Sequence, residues 1–142
     1  MAMAQSWHVA LPAEPNAVPE AADWIASCLA GARVSERLLF RLNLCVEELL
    51  MNTIHHGVRP GGGLAASVRL DLFTDRIVLV YEDNARPFDV TKAPKRQMDV
   101  PLTERAPGGV GLELLRSFSD AFSYQEMESG NQMTCVFSLG RE

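Results

Sequence analysis

The sequence lacks the features that mark membrane and secreted proteins. No apolar run reaches the length of a membrane span. The first twelve residues have neither a basic region nor a long apolar run, so no signal peptide is expected. Only three cysteines are present, and no two are spaced as a metal-binding pair, which is typical of buried thiols in a reducing compartment. We therefore expect a soluble, cytoplasmic protein.

An excess of basic residues is also missing. There are 13 Lys and Arg against 18 Asp and Glu, for a formal net charge of −5. No stretch interleaves basic with aromatic residues, so direct nucleic-acid binding is not expected. An acidic chain can still bind a nucleotide, because helix N-termini and a magnesium ion supply local positive charge.

Familiar catalytic signatures are absent as well. The chain has no serine in a strand-to-helix elbow, no P-loop and no protein-kinase catalytic loop. What it does have is a hydrophobic content of 47% over 142 residues, which suits one domain with a substantial core. Any chemistry must therefore come from side chains that the fold brings together.

The order of predicted elements is β-α-α-β-β-loop-α-β-β. Periodicity predicts strands over 6–11, 64–73, 76–81, 121–127 and 133–139, with a turn at 128–131. It predicts helices over 20–30, 36–56 and 112–118, with Ala22, Ile25, Ala26 and Leu29 on the inner face of the first. Pro19 suits the first turn of that helix, and Ser35 suits the N-cap of the second. This order predicts an α+β two-layer sandwich with a mostly antiparallel sheet and helices on one face.

The second predicted helix carries an unusual polar stripe. Glu48, Asn52 and His56 are spaced at i, i+4 and i+8, which places them on one side of the helix. Apolar residues flank the stripe on both sides: Leu38, Leu42, Cys45, Val46 and Leu49 on one, and Phe40, Met51 and Ile54 on the other. Partly buried carboxylate and carboxamide groups are costly unless a ligand or metal satisfies them. The alternative is a core helix whose polar stripe simply reaches solvent.

Two further segments fit a ligand site. Asp83 follows a buried strand, where it could accept a hydrogen bond from an exocyclic amine or simply occupy a turn. The glycine run at 108–111 precedes a helix, as in a phosphate cradle, although flexible loops also use glycine. The polar segment before it carries three prolines, and loops of that length are usually functional or disordered. Adjacent His55 and His56 point about 100° apart, so we expect neither to bind metal directly. His56 fits better as a hydrogen-bond donor near the site or as a cap at the helix end.

Together these segments resemble the ATP-binding (GHKL, or Bergerat-fold) domain of DNA gyrase, heat-shock-90 chaperones, MutL repair proteins and histidine kinases. The N-box reads Glu48-Leu49-Leu50-Met51-Asn52, the first glycine box Asp83-Asn84-Ala85, and the second Gly109-Val110-Gly111-Leu112. The order and spacing agree over nearly the whole chain. Two short motifs resemble those of bacterial anti-sigma-factor serine/threonine kinases of partner-switching systems. One is Asn-x-x-x-His-Gly at the end of the second helix, here Asn52-Thr53-Ile54-His55-His56-Gly57, and the other is Pro87-Phe88-Asp89 after the first box.

The resemblance implies ATP and Mg²⁺ as cofactors and one ATP-binding domain over 1–142, with an ATP lid at about 90–108. It implies that Asn52 coordinates magnesium, Asp83 binds the adenine amino group and Glu48 is the general base. The full nucleotide-binding set that it implies is Asn52, His56, Asp83, Ala85, Gly109, Gly111 and Leu112. Ala85 departs from the pattern, since the family has glycine there.

Two functions stay open at this point. The first is an ATP-dependent kinase that phosphorylates an anti-anti-sigma (STAS-type) protein and also binds a sigma factor. The second is a catalytically weak or non-catalytic switch module that keeps the fold for protein–protein binding, with ATP affinity reduced by Ala85. Members of the family often dimerise, so a homodimer is one expected assembly.

Overall fold

A computed structural model describes residues 3–57, 59, 62–89, 117 and 119–141. Within them, strand β1 (Met3–Pro12) precedes helices α1 (Ala17–Cys28) and α2 (Glu36–His56). The hairpin β2 (Ala65–Phe73) and β3 (Arg76–Asp83) follows, and then the hairpin β4 (Ala121–Met127) and β5 (Gly130–Ser138). A short 3₁₀ turn, Leu139–Arg141, comes last. None of the helices in this described part is long and apolar enough to span a membrane.

The five strands form one antiparallel sheet in the order β1-β2-β3-β5-β4. Both helices pack on one face of it, with α1 against β1 and α2 against β2 and β3. The predicted two-layer α+β architecture is therefore confirmed. Because β3 and β5 pair with Asp83 opposite Asn131, the end of β3 lies beside the start of β5.

The core lies between the sheet and α2. The alternation of each strand places one set of side chains toward the helices, and these are fully buried, such as Leu70, Leu79 and Phe137. Leu42 and Leu49 of α2 meet them and are also buried. Burial of each such side chain stabilises the fold by about 1.5–3 kcal/mol, so this layer fixes the position of α2 on the sheet.

The start of α2 confirms its predicted cap. The backbone N–H of Leu38 donates to Ser35 Oγ at 3.0 Å, and Ser35 itself is extended. Ser35 thereby satisfies one of the free N–H groups of the first turn, and Glu36 lies at the positive end of the helix dipole. The helix then runs to His56, as its periodicity predicts.

The first helix begins three residues earlier than predicted. It starts at Ala17, so Pro19 lies in its first turn, where no intrahelical N–H bond is lost. Ile25 and Leu29 are buried as expected, but Ala26 is exposed, and the prediction that it faces inward is wrong. The buried side is set by Ala17, Ala21 and Ile25 at i, i+4 and i+8, and Ala26 points about 140° from the centre of that side.

Two other details of the sequence-based expectation need correction. The second apolar flank of α2 is not buried as a unit, because Phe40 is 62% exposed while Met51 and Ile54 are half-buried. Only one side of α2 meets the sheet, so the helix is amphipathic rather than apolar all round. The last hairpin turn is also shorter than predicted, since only Glu128 and Ser129 lie between the strands.

Candidate functional site

A cleft opens between the C-terminal half of α2 and the ends of β3 and β5. The empty space in it, counted together with its open mouth, measures about 340 Å³. Its walls combine apolar side chains with a few polar groups from α2, β3, β5 and the segment after β3. The lining residues are Leu49, Asn52, Thr53, His56, Gly57, Tyr81, Asp83, Ala85, Phe88, Asn131 and Met133.

Asn52 lines this cleft and has a buried amide oxygen without a hydrogen-bond partner among the described residues. The side chain is only 8% exposed. A buried acceptor without a partner costs about 1–3 kcal/mol, so the site is suited to a ligand that contacts this oxygen. Amide oxygen is a ligand type that Mg²⁺ accepts, and magnesium commonly takes its remaining ligands from phosphates and water. In the described part of the chain, no group of three or more His, Cys, Asp or Glu could hold a metal unaided.

Asp83 is held from three directions. Its Oδ2 accepts a hydrogen bond from Thr53 Oγ1 at 2.7 Å. Its Oδ1 accepts from Asn131 Nδ2 at 2.8 Å and from the backbone N–H of Ala85 at 3.2 Å. A carboxylate oxygen has two lone pairs, so these bonds fill Oδ1 and leave one acceptor position on Oδ2. The carboxylate is thereby fixed in orientation and can still accept a hydrogen bond from a ligand amine.

A pair of hydroxyl groups lies behind Asp83. Tyr81 is 2% exposed, and its hydroxyl lies 2.6 Å from Thr53 Oγ1. Thr53 Oγ1 has one proton and two acceptors within reach, the Asp83 carboxylate at 2.7 Å and the carbonyl oxygen of Leu49 at 3.2 Å. The carboxylate is the nearer and the charged acceptor, so Thr53 donates to Asp83 and Tyr81 donates to Thr53. Burial raises the pKa of Tyr81, which keeps the phenol protonated and able to donate.

Ala85 fits its position without backbone strain. It is buried and its φ is not positive, so the glycine of the family pattern is not needed here for conformational freedom. Its methyl group lies close to Gly57, where an added Cβ would come within 3.2 Å of Ala85 Cβ. A side chain at position 57 would therefore crowd the Ala85 methyl group, and it would overlap the Thr53 carbonyl oxygen at 2.3 Å.

Glu48 lies one turn before Asn52 on α2 and is half-buried. It is not among the residues that line the cleft in the described part of the chain. Burial, followed by the nearby charge of Glu47, raises the pKa of Glu48 above its ordinary value. A carboxylate with a raised pKa is a stronger base, as general-base catalysis at neutral pH requires.

His56 and Phe88 form an aromatic pair at the cleft. Their rings are parallel within 1°, with centroids 5.6 Å apart, which is an offset stack. The pair joins the last residue of α2 to the segment after β3, so the two walls of the cleft are in contact there. The structure therefore places the His56 ring at the cleft, where it contacts Phe88.

The structure thus brings together four of the residues singled out in the sequence: Asn52, His56, Asp83 and Ala85. Gly109, Gly111 and Leu112, the predicted lid at 90–108 and the predicted helix at 112–118, apart from the single residue Ser117, lie outside the described residues. Sequence reasoning missed Thr53 and Asn131. Thr53 is adjacent to the N-box asparagine, which was a usable signal, whereas Asn131 resembled an ordinary turn residue.

Comparison with known proteins finds one family and several similar chains. A family model described as the histidine kinase-like ATPase domain matches residues 11–137. The chain is 34% identical over 111 residues to the serine/threonine-protein kinase BtrW of Bordetella bronchiseptica, covering 78% of each protein. It is 26% identical over 105 residues to the serine-protein kinase RsbW of Bacillus licheniformis, covering 71% of this chain and 65% of RsbW.

Solved structures agree on the fold. The histidine kinase domain of a blue-light activated histidine kinase from Erythrobacter litoralis superimposes with a TM-score of 0.55 at 14% identity. The match covers 92% of this chain and 62% of that one. At this level of identity the similarity concerns the arrangement of helices and sheet.

Proposed function

Because the chain belongs to the histidine kinase-like ATPase domain family, we propose that it is an ATP-dependent serine/threonine protein kinase. The observation that carries the proposal is the cleft at α2, where a buried amide oxygen without a partner and a fixed carboxylate line one small space. The relatives BtrW and RsbW are named as serine or serine/threonine kinases, which supports the same reaction for this chain.

In this proposal, adenine binds beside Asp83. The remaining acceptor position on its Oδ2 receives the exocyclic amine, while apolar side chains such as Leu49 and Met133 contact the base. His56 and Ala85 belong to the walls of the same pocket. The family pattern implies that Gly109, Gly111 and Leu112, which lie outside the described residues, supply backbone N–H groups to the phosphates, and we include this in the proposal.

Asn52 is the proposed protein ligand of magnesium. Its orphaned Oδ1 fits a hard cation, which prefers oxygen and keeps several positions for phosphate and water. When bound, the ion neutralises charge on the phosphates during transfer. Asn52 and the phosphates together would then fix the nucleotide against α2.

Glu48 is the proposed general base. It accepts the proton of the substrate hydroxyl as the hydroxyl oxygen bonds to the γ-phosphorus and the bond to the bridging oxygen of ADP breaks. Its raised pKa supports this role, because a base is most effective when its pKa approaches the working pH. Its place outside the cleft lining agrees with a role toward a protein substrate that approaches from the side of α2.

The protein substrate in this proposal is an anti-anti-sigma (STAS-type) protein, with a sigma factor as the alternative partner. We also propose that residues 1–142 form one ATP-binding domain whose lid, at about 90–108, closes over the phosphates. The chain spans 65% of the length of RsbW, so the partners of this chain are proposed here and are not transferred from that larger relative.

Calorimetry with ATP and Mg²⁺ tests the binding step. We expect binding by the wild type, loss of it in Asn52→Ala, and no change in Asn43→Ala. Asn43 is a matched control because it lies on the same helix but lines the surface groove next to Phe40 instead of the cleft. Absence of binding by the wild type at millimolar ATP would reject the kinase and favour the non-catalytic switch module.

Phosphate transfer tests the reaction. Labelled ATP is incubated with the protein and a STAS-type protein from the same organism, and mass spectrometry locates the modified residue. We expect phosphoserine or phosphothreonine with the wild type and a decrease of at least about 100-fold in Glu48→Ala, the usual magnitude for a lost general base. Equal transfer by that variant would remove Glu48 from this role.

A further inference from the structure

Asn131 is a buried polar residue that no motif in the sequence identifies. It is 6% exposed and lies at the start of β5, directly opposite Asp83 in the sheet register. Its side chain points to the helix side of the sheet and lines the cleft with Asp83 and Phe88. A buried amide in such a place must find partners for both of its ends.

The amide nitrogen of Asn131 bonds to three acceptors. Nδ2 donates to Asp83 Oδ1 at 2.8 Å, to the carbonyl oxygen of Arg86 at 3.0 Å and to that of Ala85 at 3.3 Å. The first bond is to the carboxylate, and the other two are to the segment that follows β3. One side chain therefore connects the proposed adenine-binding group to the wall beside it.

The amide oxygen is satisfied as well. Oδ1 accepts from the backbone N–H of Phe88 at 2.8 Å and from the hydroxyl of Tyr124. These partners fix the orientation of the amide, because a flip would place its oxygen against a carboxylate and two carbonyls. Both protons and both lone pairs of the Asn131 amide are in use, so the group has no freedom to rotate.

We propose that Asn131 is a positioning residue for base recognition: it holds the Asp83 carboxylate and the 85–88 segment in the arrangement that reads the amino group of adenine. This inference rests on the proposed function. Asn131 acts through Asp83, since its own donors and acceptors are already occupied by protein groups. Without it, Asp83 Oδ1 loses its shorter hydrogen bond and the wall at Phe88 loses an anchor.

Gly130, the residue before Asn131, permits the close contact between the start of β5 and the end of β3. Gly130 has φ +155, and a Cβ there would lie 1.9 Å from the carbonyl oxygen of Asp83. The backbone at Gly130, the first residue of β5, therefore approaches the end of β3 more closely than any side chain would allow. This close approach is what brings Asn131 within hydrogen-bond reach of the carboxylate.

The test compares two nucleotides that differ only at the amino group, ATP and purine riboside 5′-triphosphate, both with Mg²⁺. Calorimetry on the full chain gives their two dissociation constants, and the ratio of the two is the readout. A hydrogen bond from the amine to a fixed carboxylate predicts a preference for ATP of at least about tenfold in the wild type. Asn131→Ala is expected to reduce that ratio by about three- to tenfold.

Gln132→Ala is the matched control. Gln132 is the next residue of β5, but it faces the opposite side of the sheet, where Nε2 donates to Glu82 Oε2 at 2.6 Å. Its loss removes one hydrogen bond from the same strand without touching the cleft, so the ratio should not change. Tyr124→Phe removes only the hydroxyl that donates to Asn131, and it should lower the ratio of the two dissociation constants by about twofold. If Asn131→Ala does not fold, this variant tests the positioning role of Asn131 in its place.

The outcomes separate the two proposals. If Asn131→Ala weakens both nucleotides equally and keeps the wild-type ratio, Asn131 is merely structural and the inference is wrong. If the wild type binds both nucleotides equally, ATP binding stands but Asp83 does not read the amine, and the inference is again wrong. If the wild type binds neither nucleotide, the proposed function fails and the inference falls with it.

Discussion

Replacing Thr53 by valine removes one hydroxyl at the centre of the buried network and leaves the shape of the side chain almost unchanged. Thr53 Oγ1 donates to Asp83 Oδ2 at 2.7 Å and accepts from the Tyr81 hydroxyl, 2.6 Å away. The variant therefore loses two hydrogen bonds at once. No cavity forms, because the valine methyl group fills the space of the hydroxyl, so the effect comes from hydrogen bonding alone.

The magnitude follows from the two partners. A hydrogen bond to a charged group contributes about 1.5–3 kcal/mol, and Asp83 is partly exposed, which favours the lower value. The Tyr81 hydroxyl is left buried without its acceptor, which costs about 1–3 kcal/mol. We expect the free energy of unfolding of Thr53→Val to fall by about 2.5–4.5 kcal/mol.

A double-mutant cycle tests this mechanism. Tyr81→Phe alone should cost about 1 kcal/mol, because Thr53 can still donate to Asp83. Adding Tyr81→Phe to Thr53→Val removes the orphaned hydroxyl, so the double variant should be about 1–2 kcal/mol more stable than the sum of the single effects predicts.

Urea denaturation followed by circular dichroism measures all four proteins under one set of conditions. Thr134→Val on β5 is the control, since Thr134 lies on the face of the sheet away from the cleft and a change within about 0.5 kcal/mol is expected. Additive effects of Thr53→Val and Tyr81→Phe, within about 0.5 kcal/mol, would show that the two hydroxyls are not coupled and would refute the assigned direction of donation.

Three further predictions concern single residues. Glu48→Gln should abolish phosphate transfer and yet raise the melting temperature at pH 7.5. The reason is that the folded state raises the pKa of Glu48 and so disfavours its charged form, which the substitution removes. Thermal scans should therefore show that the gain in melting temperature shrinks as the pH falls toward 4. Gly130→Ala should lower the free energy of unfolding by at least about 2 kcal/mol in urea, because its Cβ would overlap the Asp83 carbonyl; a neutral effect would mean that the turn is not tightly held. Ala85→Gly should change the calorimetric affinity for ATP by less than about threefold, since Ala85 has no positive φ, and a large gain would show that its methyl group obstructs the site.

Local patterns were sufficient to predict most of the elements. The serine cap and helical period of α2 fix its limits, since both depend on residues close in sequence. The alternation in β2 and β3 likewise predicts their hairpin and buried face. The errors arose where burial depends on distant elements: Ala26 and Phe40 have apolar side chains, yet no other element in the described part of the chain covers them as predicted.

The candidate site was likewise predictable from the sequence only in part. The helical repeat and the end of a buried strand constrain where Asn52 and Asp83 lie, so their spacing fitted a ligand site. The resemblance to the ATP-binding family, and not the spacing, implied that the ligand is a nucleotide. The contacts of Asn131 with Asp83 could not be predicted, since 48 residues separate them and only the pairing of β3 with β5 brings them together. The sequence by itself determined which groups carry the proposed chemistry. The tertiary structure alone decided how the carboxylate is held, because hydrogen bonds between distant strands depend on sheet order and register, which no local pattern specifies.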